Sequence, residues 1–252
     1  MKSTVFQHLL QVARTKGAGY IVLLDPDRKS DPHLEARVAA INASEVDAIF
    51  VGGSLMMDGR CHERVATIKA LASVPVIFFP GGLNQINTHY DAMLFMAILS
   101  GRNPHYLIGE QVLAAPVVKD LGLEVIPTGY LLFDGGAQST VEFISNTRPL
   151  PLHRPDLAVA HALAAQYLGK KLLYLEAGSG ARQAVPVETI TQVAREVEVP
   201  LIVGGGIRTP EQARERVEAG ASFIVTGTVL EDNHDHDAAL MEAFAQAVHW
   251  KL

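Results

Sequence analysis

Eight short apolar runs, each followed by a polar or amphipathic stretch, constrain this chain more than any other feature. They occupy residues 20–24, 48–51, 76–79, 92–99, 123–133, 171–175, 201–203 and 223–225. Most are rich in Val, Ile, Leu and Phe and are bounded by Gly, Pro or Asp. A strand without polar alternation is covered on both faces, as the strands of a parallel sheet are. Between the runs, residues 34–41, 63–71, 106–121, 156–167, 187–197 and 211–219 carry apolar side chains three and four apart, which predicts helices with one buried face. Thr209 and Pro210 read as an N-cap followed by proline in the first turn. Eight alternations in 252 residues predict a single-domain α/β (β/α)8 TIM barrel, with an open doubly wound sheet as the alternative. One link departs from the pattern. PGGLNQINTHY at 80–90 is too short and too broken for a crossover helix, so the third helix is expected to be replaced by a loop. The stretch 134–155 is expected to be long and irregular.

Composition removes several function classes. With 48% hydrophobic and 19% charged residues the chain has enough apolar material for a buried core. Its 27 acidic and 21 basic side chains leave a net charge of −6, a poor balance for binding nucleic acid. The single cysteine, Cys61, excludes an internal disulfide and a Cys-rich zinc site. The longest clean apolar run, 93–99, is far short of the 18 or so residues of a membrane span. Residues 1–20 alternate at helical spacing and lack the apolar core of a signal peptide, so the cytoplasm is the expected location.

Barrels of this kind carry their chemistry at the C-terminal ends of the strands. The exits of the last three strands are the most informative: Tyr174-Leu175-Glu176-Ala177-Gly178-Ser179-Gly180, then Gly204-Gly205-Gly206, then Thr226-Gly227-Thr228. Glycine lets bare backbone N–H groups approach an anion, and a following helix adds a positive end, which predicts a phosphate site. Ser179, Thr226 and Thr228 add hydroxyls. The plainer reading is a set of turn glycines. Asp25 and Asp27 flank Pro26 at the first exit, one to face the mouth and the other to cap a helix. Asp25 with Ser54 across the mouth suits Mg²⁺, which takes few carboxylates and completes its shell with water and substrate phosphate. A helix-capping Asp is the alternative. Tyr174 and Glu176 share one strand face, where Glu176 is placed to accept a hydrogen bond or a proton; a structural ion pair is the alternative. His234 and His236 read as a solvated loop, and the helix beginning at Tyr106 and Leu107 as one whose apolar side is core. Walker A, dinucleotide-binding and nucleophile-elbow patterns are absent.

LLDPD at 23–27, FVGGS at 50–54, PVIFFPGG at 75–82, YLEAGSGA at 174–181, IVGGGIR at 202–208 and IVTGT at 224–228 together resemble the geranylgeranylglyceryl phosphate synthase family, which includes bacterial heptaprenylglyceryl phosphate synthases. The stretch HYDAMLFMAILSGRNPHYLIGEQVLAAP at 89–116 is similar to the family's larger second group. The resemblance runs nearly the whole chain. It implies a Mg²⁺-dependent prenyltransferase that joins the 3-hydroxyl of sn-glycerol 1-phosphate to a long-chain prenyl diphosphate, releasing diphosphate in ether phospholipid synthesis. It implies Asp25 and Ser54 at the metal, Tyr174 to Gly180 with Gly204, Gly205, Gly227 and Thr228 at glycerol phosphate, and a barrel lacking its third helix. Catalytic roles fall to Glu176 and Tyr174, and Tyr130 with strands three to five is expected along the prenyl groove. The family also implies a homo-oligomer, dimer or hexamer, and the amphiphilic substrate suggests peripheral membrane contact. Leu23 and Arg28 stand where the heptaprenyl enzymes have a KLDPNK-like pattern, which favours the geranylgeranyl type.

Two other readings stay open. One is a sugar-phosphate isomerase, whose chemistry pairs carboxylates from strands one and five; here strand five offers Thr128 and Tyr130, with Asp134 further on. The other is a phosphate-binding barrel without catalysis.

Overall fold

The chain is described by a computed structural model over residues 4–27, 32–231 and 237–250. Each of the eight runs forms a strand: β1 (Gly19–Leu24), β2 (Ala48–Val51), β3 (Val76–Phe78), β4 (Ala92–Ile98), β5 (Glu124–Leu132), β6 (Leu172–Glu176), β7 (Leu201–Gly204) and β8 (Phe223–Thr226). All neighbours are parallel, and β8 returns to β1 with Gly19 opposite Phe223, so the sheet closes into a barrel in sequence order. Alternate side chains divide into two cores. Ile21, Phe50, Leu94, Ile126, Ile202 and Phe223 fill the interior. Val22, Val51, Leu131, Leu175, Val203 and Ile224 face the surrounding helices.

Those helices are α2 (Leu34–Asn42), α3 (Cys61–Leu71), α4 (Glu110–Asp120), α6 (Pro155–Tyr167), α7 (Val187–Glu196), α8 (Pro210–Glu218) and, after the single turn α9 (Thr228–Glu231), α10 (Asp237–Val248). A π-type turn, His105–Gly109, leads into α4. The α8 cap forms as expected: the Thr209 hydroxyl accepts from Gln212 N at 3.3 Å. Between β3 and β4 there is no α-helix, only a single 3₁₀ turn (Leu83–Gln85), so the third crossover is the predicted loop. α10 was not among the expected elements, although Met241, Phe244, Ala245 and Val248 form its buried stripe at helical spacing. The stretch expected to be irregular holds a short helix, α5 (Thr140–Ser145), capped by Ser139, whose hydroxyl accepts from Glu142 N at 3.3 Å. Asp27 Oδ1 accepts from Met57 N at 2.9 Å, and His33, at the N-cap of α2, makes no side-chain cap bond. Arg28, His234 and His236 lie outside the described residues. Among the described residues no helix is long and apolar enough to cross a membrane.

The N-terminal end of the barrel is closed by α1 (Thr4–Lys16). Leu9 is fully buried in the interior core, with Val5, Phe6 and Ala13 packed around it. Glu124, at the start of β5, holds this plug: Oε2 accepts from Thr4 N and Val5 N, and Oε1 from Phe6 N, each at 2.8 Å. These are N–H groups of the first helical turn, where a negative charge is favoured. On the same end, Asp47 accepts from Tyr20 N, Lys16 Nζ and His249 Nε2, each at 2.8 Å, joining α1, β1 and the chain after α10. Burial opposes the Asp47 charge, but the bonds from His249 and Lys16 hold its carboxyl below the usual range.

Removing the Glu124 carboxylate leaves three helix N–H groups without their acceptor. Glu124→Ala is expected to lower stability by about 1.5–3 kcal/mol in urea unfolding and to speed amide exchange at residues 4–6, leaving ligand binding at the opposite end unchanged.

Candidate active site

The C-terminal end of the barrel opens into a cavity of about 660 Å³, within the range of small-molecule sites. Its wall has two characters because its two halves come from different strands. From β6 to β8 it is polar: Glu176, Ser179, Gly180, Gly205, Gly206, Thr226, Gly227 and Thr228. From β3 to α4 it is apolar: Phe79, Ile86, Met93, Met96, Tyr106 and Ala114. Asp25, Asp27, Gly53 and Ser54, from the first two exits, lie between these walls.

In the polar half the loops after β6 and β7 touch backbone to backbone. A Cβ on Gly205 would overlap Glu176 Oε1 and stand 2.7 Å from Gly178 N, and φ there is +79°, so only glycine fits. The hydroxyls of Ser179 and Thr228 meet at 3.2 Å across the bowl between loops six and eight. Thr226 is held from below by Tyr20, whose hydroxyl lies 2.7 Å from Thr226 Oγ1. This is a recess of backbone N–H groups and hydroxyls without a carboxylate other than Glu176, suited to a phosphate.

Glu176 ends β6 and is only 6% exposed. Burial pushes its carboxyl up to about 7, against the lowering effect of Gly178 N, which donates to Oε1 at 2.6 Å, and of the neighbouring Tyr174 phenol. Tyr174 lies two residues earlier on the same inward face, as the strand period requires. Its hydroxyl is buried without a hydrogen-bond partner of good geometry. A Cβ on Gly204 would lie 2.5 Å from that hydroxyl and 3.2 Å from Glu176 Oε2, so both groups converge over Gly204. Burial raises the Tyr174 phenol well above its ordinary range, and the Glu176 charge raises it further. No cation pairs with Glu176 among the described residues, so the structural ion-pair alternative does not describe it.

An aromatic cluster separates this acid from the apolar half. Tyr174 lies 5.4 Å from Tyr130 and 5.5 Å from Phe79, and Phe79 lies 6.1 Å from Phe50. Tyr130 is thus in the cavity wall, where the groove was expected. Tyr106 also lines the cavity and is not simply core, whereas Ala114 and Val118 of the same helical stretch are buried as predicted. Leu175 and Ala177 turn their side chains toward the outer core, so only their backbone is available to a ligand. Phe79, Ile86, Met96 and Ala114 were not among the named candidates; Phe79 was visible as the last apolar residue before Pro80, but the other three belong to a wall that no local pattern marks.

The donors at the first two exits fit a hard divalent cation. Asp25 Oδ1 lies directly over Gly53, where a Cβ would stand 2.6 Å away, so glycine leaves room for the carboxylate beside Ser54. Asp27 is engaged with Met57 N, and among the described residues no group of three or more His, Cys, Asp or Glu is positioned to hold a metal. One carboxylate and a hydroxyl match Mg²⁺, which keeps water and substrate oxygens in most of its shell.

Known proteins of this kind are close in sequence. The chain is 44% identical over 230 residues to geranylgeranylglyceryl phosphate synthase of Chitinophaga pinensis, covering 91% of this chain and 90% of the relative. It is 50% identical over 214 residues to the same-named protein of Thermococcus gammatolerans, covering 84% of each. The crystal structure of (S)-3-O-geranylgeranylglyceryl phosphate synthase from Thermoplasma acidophilum, in complex with sn-glycerol-1-phosphate, superposes with a TM-score of 0.91 at 34% identity over 99% of this chain and all of that one. The PcrB family model matches residues 10–247, and the chain belongs to that family.

Proposed function

We propose that this chain is a phosphoglycerol geranylgeranyltransferase, joining sn-glycerol 1-phosphate to geranylgeranyl diphosphate. The observation that carries the reading is a buried carboxyl, Glu176, between a phosphate-sized bowl and an aromatic-floored apolar cavity. The names of the relatives and the glycerol phosphate in the Thermoplasma acidophilum structure support it.

The division of labour follows from the wall. The bowl of Ser179, Gly205, Gly227 and Thr228 holds the acceptor phosphate. Glu176 and the neighbouring Tyr174 hydroxyl face the glycerol and orient its 3-hydroxyl. The hydroxyl oxygen attacks the allylic carbon, the bond from that carbon to diphosphate breaks with its electron pair leaving on diphosphate, and the hydroxyl proton passes to Glu176. Burial tunes Glu176 for this: a carboxyl at about 7 is a stronger base than a solvated one yet half ionised at neutral pH. Asp25 and Ser54 would hold Mg²⁺, which when bound neutralises the charge that develops on the diphosphate. The apolar half shelters the prenyl tail, with each buried methylene contributing about 0.8 kcal/mol.

The isomerase reading lacks its second acid. Thr128 Oγ1 donates to Ile126 O, and Asp134 Oδ1 accepts from Gly136 N and is outside the cavity wall. On this reading the enzyme works in the cytoplasm against a bilayer surface, which suits an amphiphilic donor. Exposed Ile108 in the turn before α4, Val112 and Leu113 on α4 and Phe143 on α5, 84% exposed, support peripheral contact or pairing between copies.

Radiolabelled sn-glycerol 1-phosphate with Mg²⁺ and a series of prenyl diphosphates is expected to give organic-soluble label, greatest with the geranylgeranyl donor and abolished by EDTA until Mg²⁺ is restored. No transfer with any donor from folded protein would overturn the reading.

Glu176 serves as a carboxylate, so kcat/KM is expected to rise with pH through about 7, and Glu176→Gln to remove that limb and lower kcat about 100-fold. Because the folded-state carboxyl binds its proton more tightly than the unfolded one, wild-type stability also falls as pH rises from about 4.5 to about 7, and Glu176→Gln flattens that dependence.

Thr228→Val keeps the shape of the bowl and removes one hydroxyl. A charge-assisted hydrogen bond contributes about 1.5–3 kcal/mol, so the Michaelis constant for glycerol phosphate is expected to rise about tenfold or more. The constant for the prenyl donor should stay the same in initial-rate measurements.

A further inference from the structure

The segment that replaces the third helix contains a buried amide with a defined task. Gln85, in the 3₁₀ turn Leu83–Gln85, is 2% exposed. Its Nε2 donates to Gly53 O at 2.7 Å, and its Oε1 accepts from Gly53 N at 3.4 Å. The side chain thus engages both backbone groups of one residue, as an adjacent strand does. It is needed there because the ladder has ended: the last bond between β2 and the chain after β3 runs from Phe79 N to Val51 O at 2.9 Å. Gly81 makes the approach possible, since a Cβ on it would overlap Gly53 O. The turn itself is braced by Asn87, whose Nδ2 donates to Gln85 O at 3.2 Å while its Oδ1 accepts from His89 N at 2.9 Å.

What Gln85 holds is the diphosphate end of the site. Gly53 carries Asp25 Oδ1 against its Cα on one side and precedes Ser54 on the other. Four residues later the same loop is fixed again, by Met57 N on Asp27 Oδ1 at 2.9 Å. Ser54 therefore lies on a short span tied at both ends, with Gln85 at one and Asp27 at the other. We infer that Gln85 is a positioning residue: it fixes the Gly53–Ser54 backbone beside Asp25, so that the hydroxyl and carboxylate are already placed when a diphosphate and its cation arrive. This rests on the prenyltransferase reading for the identity of the ligand, and on the Gln85–Gly53 pairing for the role of the residue. Loss of a group that orients ligand-holding residues costs about 10- to 100-fold in affinity or activity.

Two variants separate the parts of the amide. Gln85→Glu keeps an acceptor for Gly53 N but turns a carboxylate oxygen toward Gly53 O; Gln85→Met keeps the length and removes both bonds. Each is compared with the unaltered enzyme by thermal melting, by calorimetric titration of inorganic diphosphate with Mg²⁺, and by initial rates. The expected result is an about 10- to 100-fold loss of diphosphate affinity and a matching rise in the prenyl diphosphate Michaelis constant, with the glycerol phosphate constant unchanged. Unchanged diphosphate affinity in a folded variant overturns the assignment. So does an equal loss of affinity for both substrates, or the absence of a cooperative melt in both variants, since either makes Gln85 a general structural residue. If the unaltered chain binds Mg²⁺ and diphosphate but transfers no prenyl group, the prenyltransferase reading fails while the Gln85 comparison still stands on calorimetry.

Discussion

A closed barrel of parallel strands must carry its chain back along the outside after every strand, and the third return does so without an α-helix. The rest of the site depends on that economy. The chain from 79 to 91 runs across the mouth instead of down a helical flank, bringing Phe79 into contact with the aromatic floor, Ile86 into the apolar wall and Gln85 onto the backbone of Gly53. Closure elsewhere keeps this arrangement from collapsing: both cores are continuous, and α1 seals the opposite end under Leu9.

Against this scaffold Glu176 is held at a cost that other features offset. A carboxylate so deeply buried is disfavoured, and its pKa rises accordingly. It remains because Gly178 N donates to it at 2.6 Å and because Gly205 gives it space that any side chain would take. The glycines of loops six and seven thus do two things at once: they leave backbone N–H groups bare at the cavity and they make room for the buried carboxyl. Tyr174, whose buried hydroxyl meets the Glu176 carboxyl without a hydrogen bond of good geometry, is the complementary case of a buried polar group with capacity left for a ligand.

Most of the scaffold was legible from local pattern. The strands are visible because most of their apolar runs are uninterrupted, and the shared orientation of Tyr174 and Glu176 because strand period is two. The missing helix was visible in the prolines and glycines at 80–82. α5 was readable in principle, since Ser139 and Glu142 have capping-box spacing, but six residues are too few for periodicity to speak. The bond that Asp27 makes is not legible in its neighbourhood, because its partner, Met57 N, is thirty positions away in sequence. Gln85 was invisible for the same reason, being bonded to a residue 32 positions earlier. The far wall formed by Met96, Tyr106 and Ala114 depends on how α4 lies against β4, which no single run of residues encodes.

The two characters of the cavity come from different halves of the polypeptide, the apolar wall from residues before 145 and the phosphate bowl from residues after 173. They meet along the line of aromatic rings and share few residues. On the proposed reading, the preference for one tail over another and the preference for one headgroup over another are therefore separately heritable traits. A lineage could then drift along the first through changes on β3, β4 and α4, while the loops that define the second stay as they are.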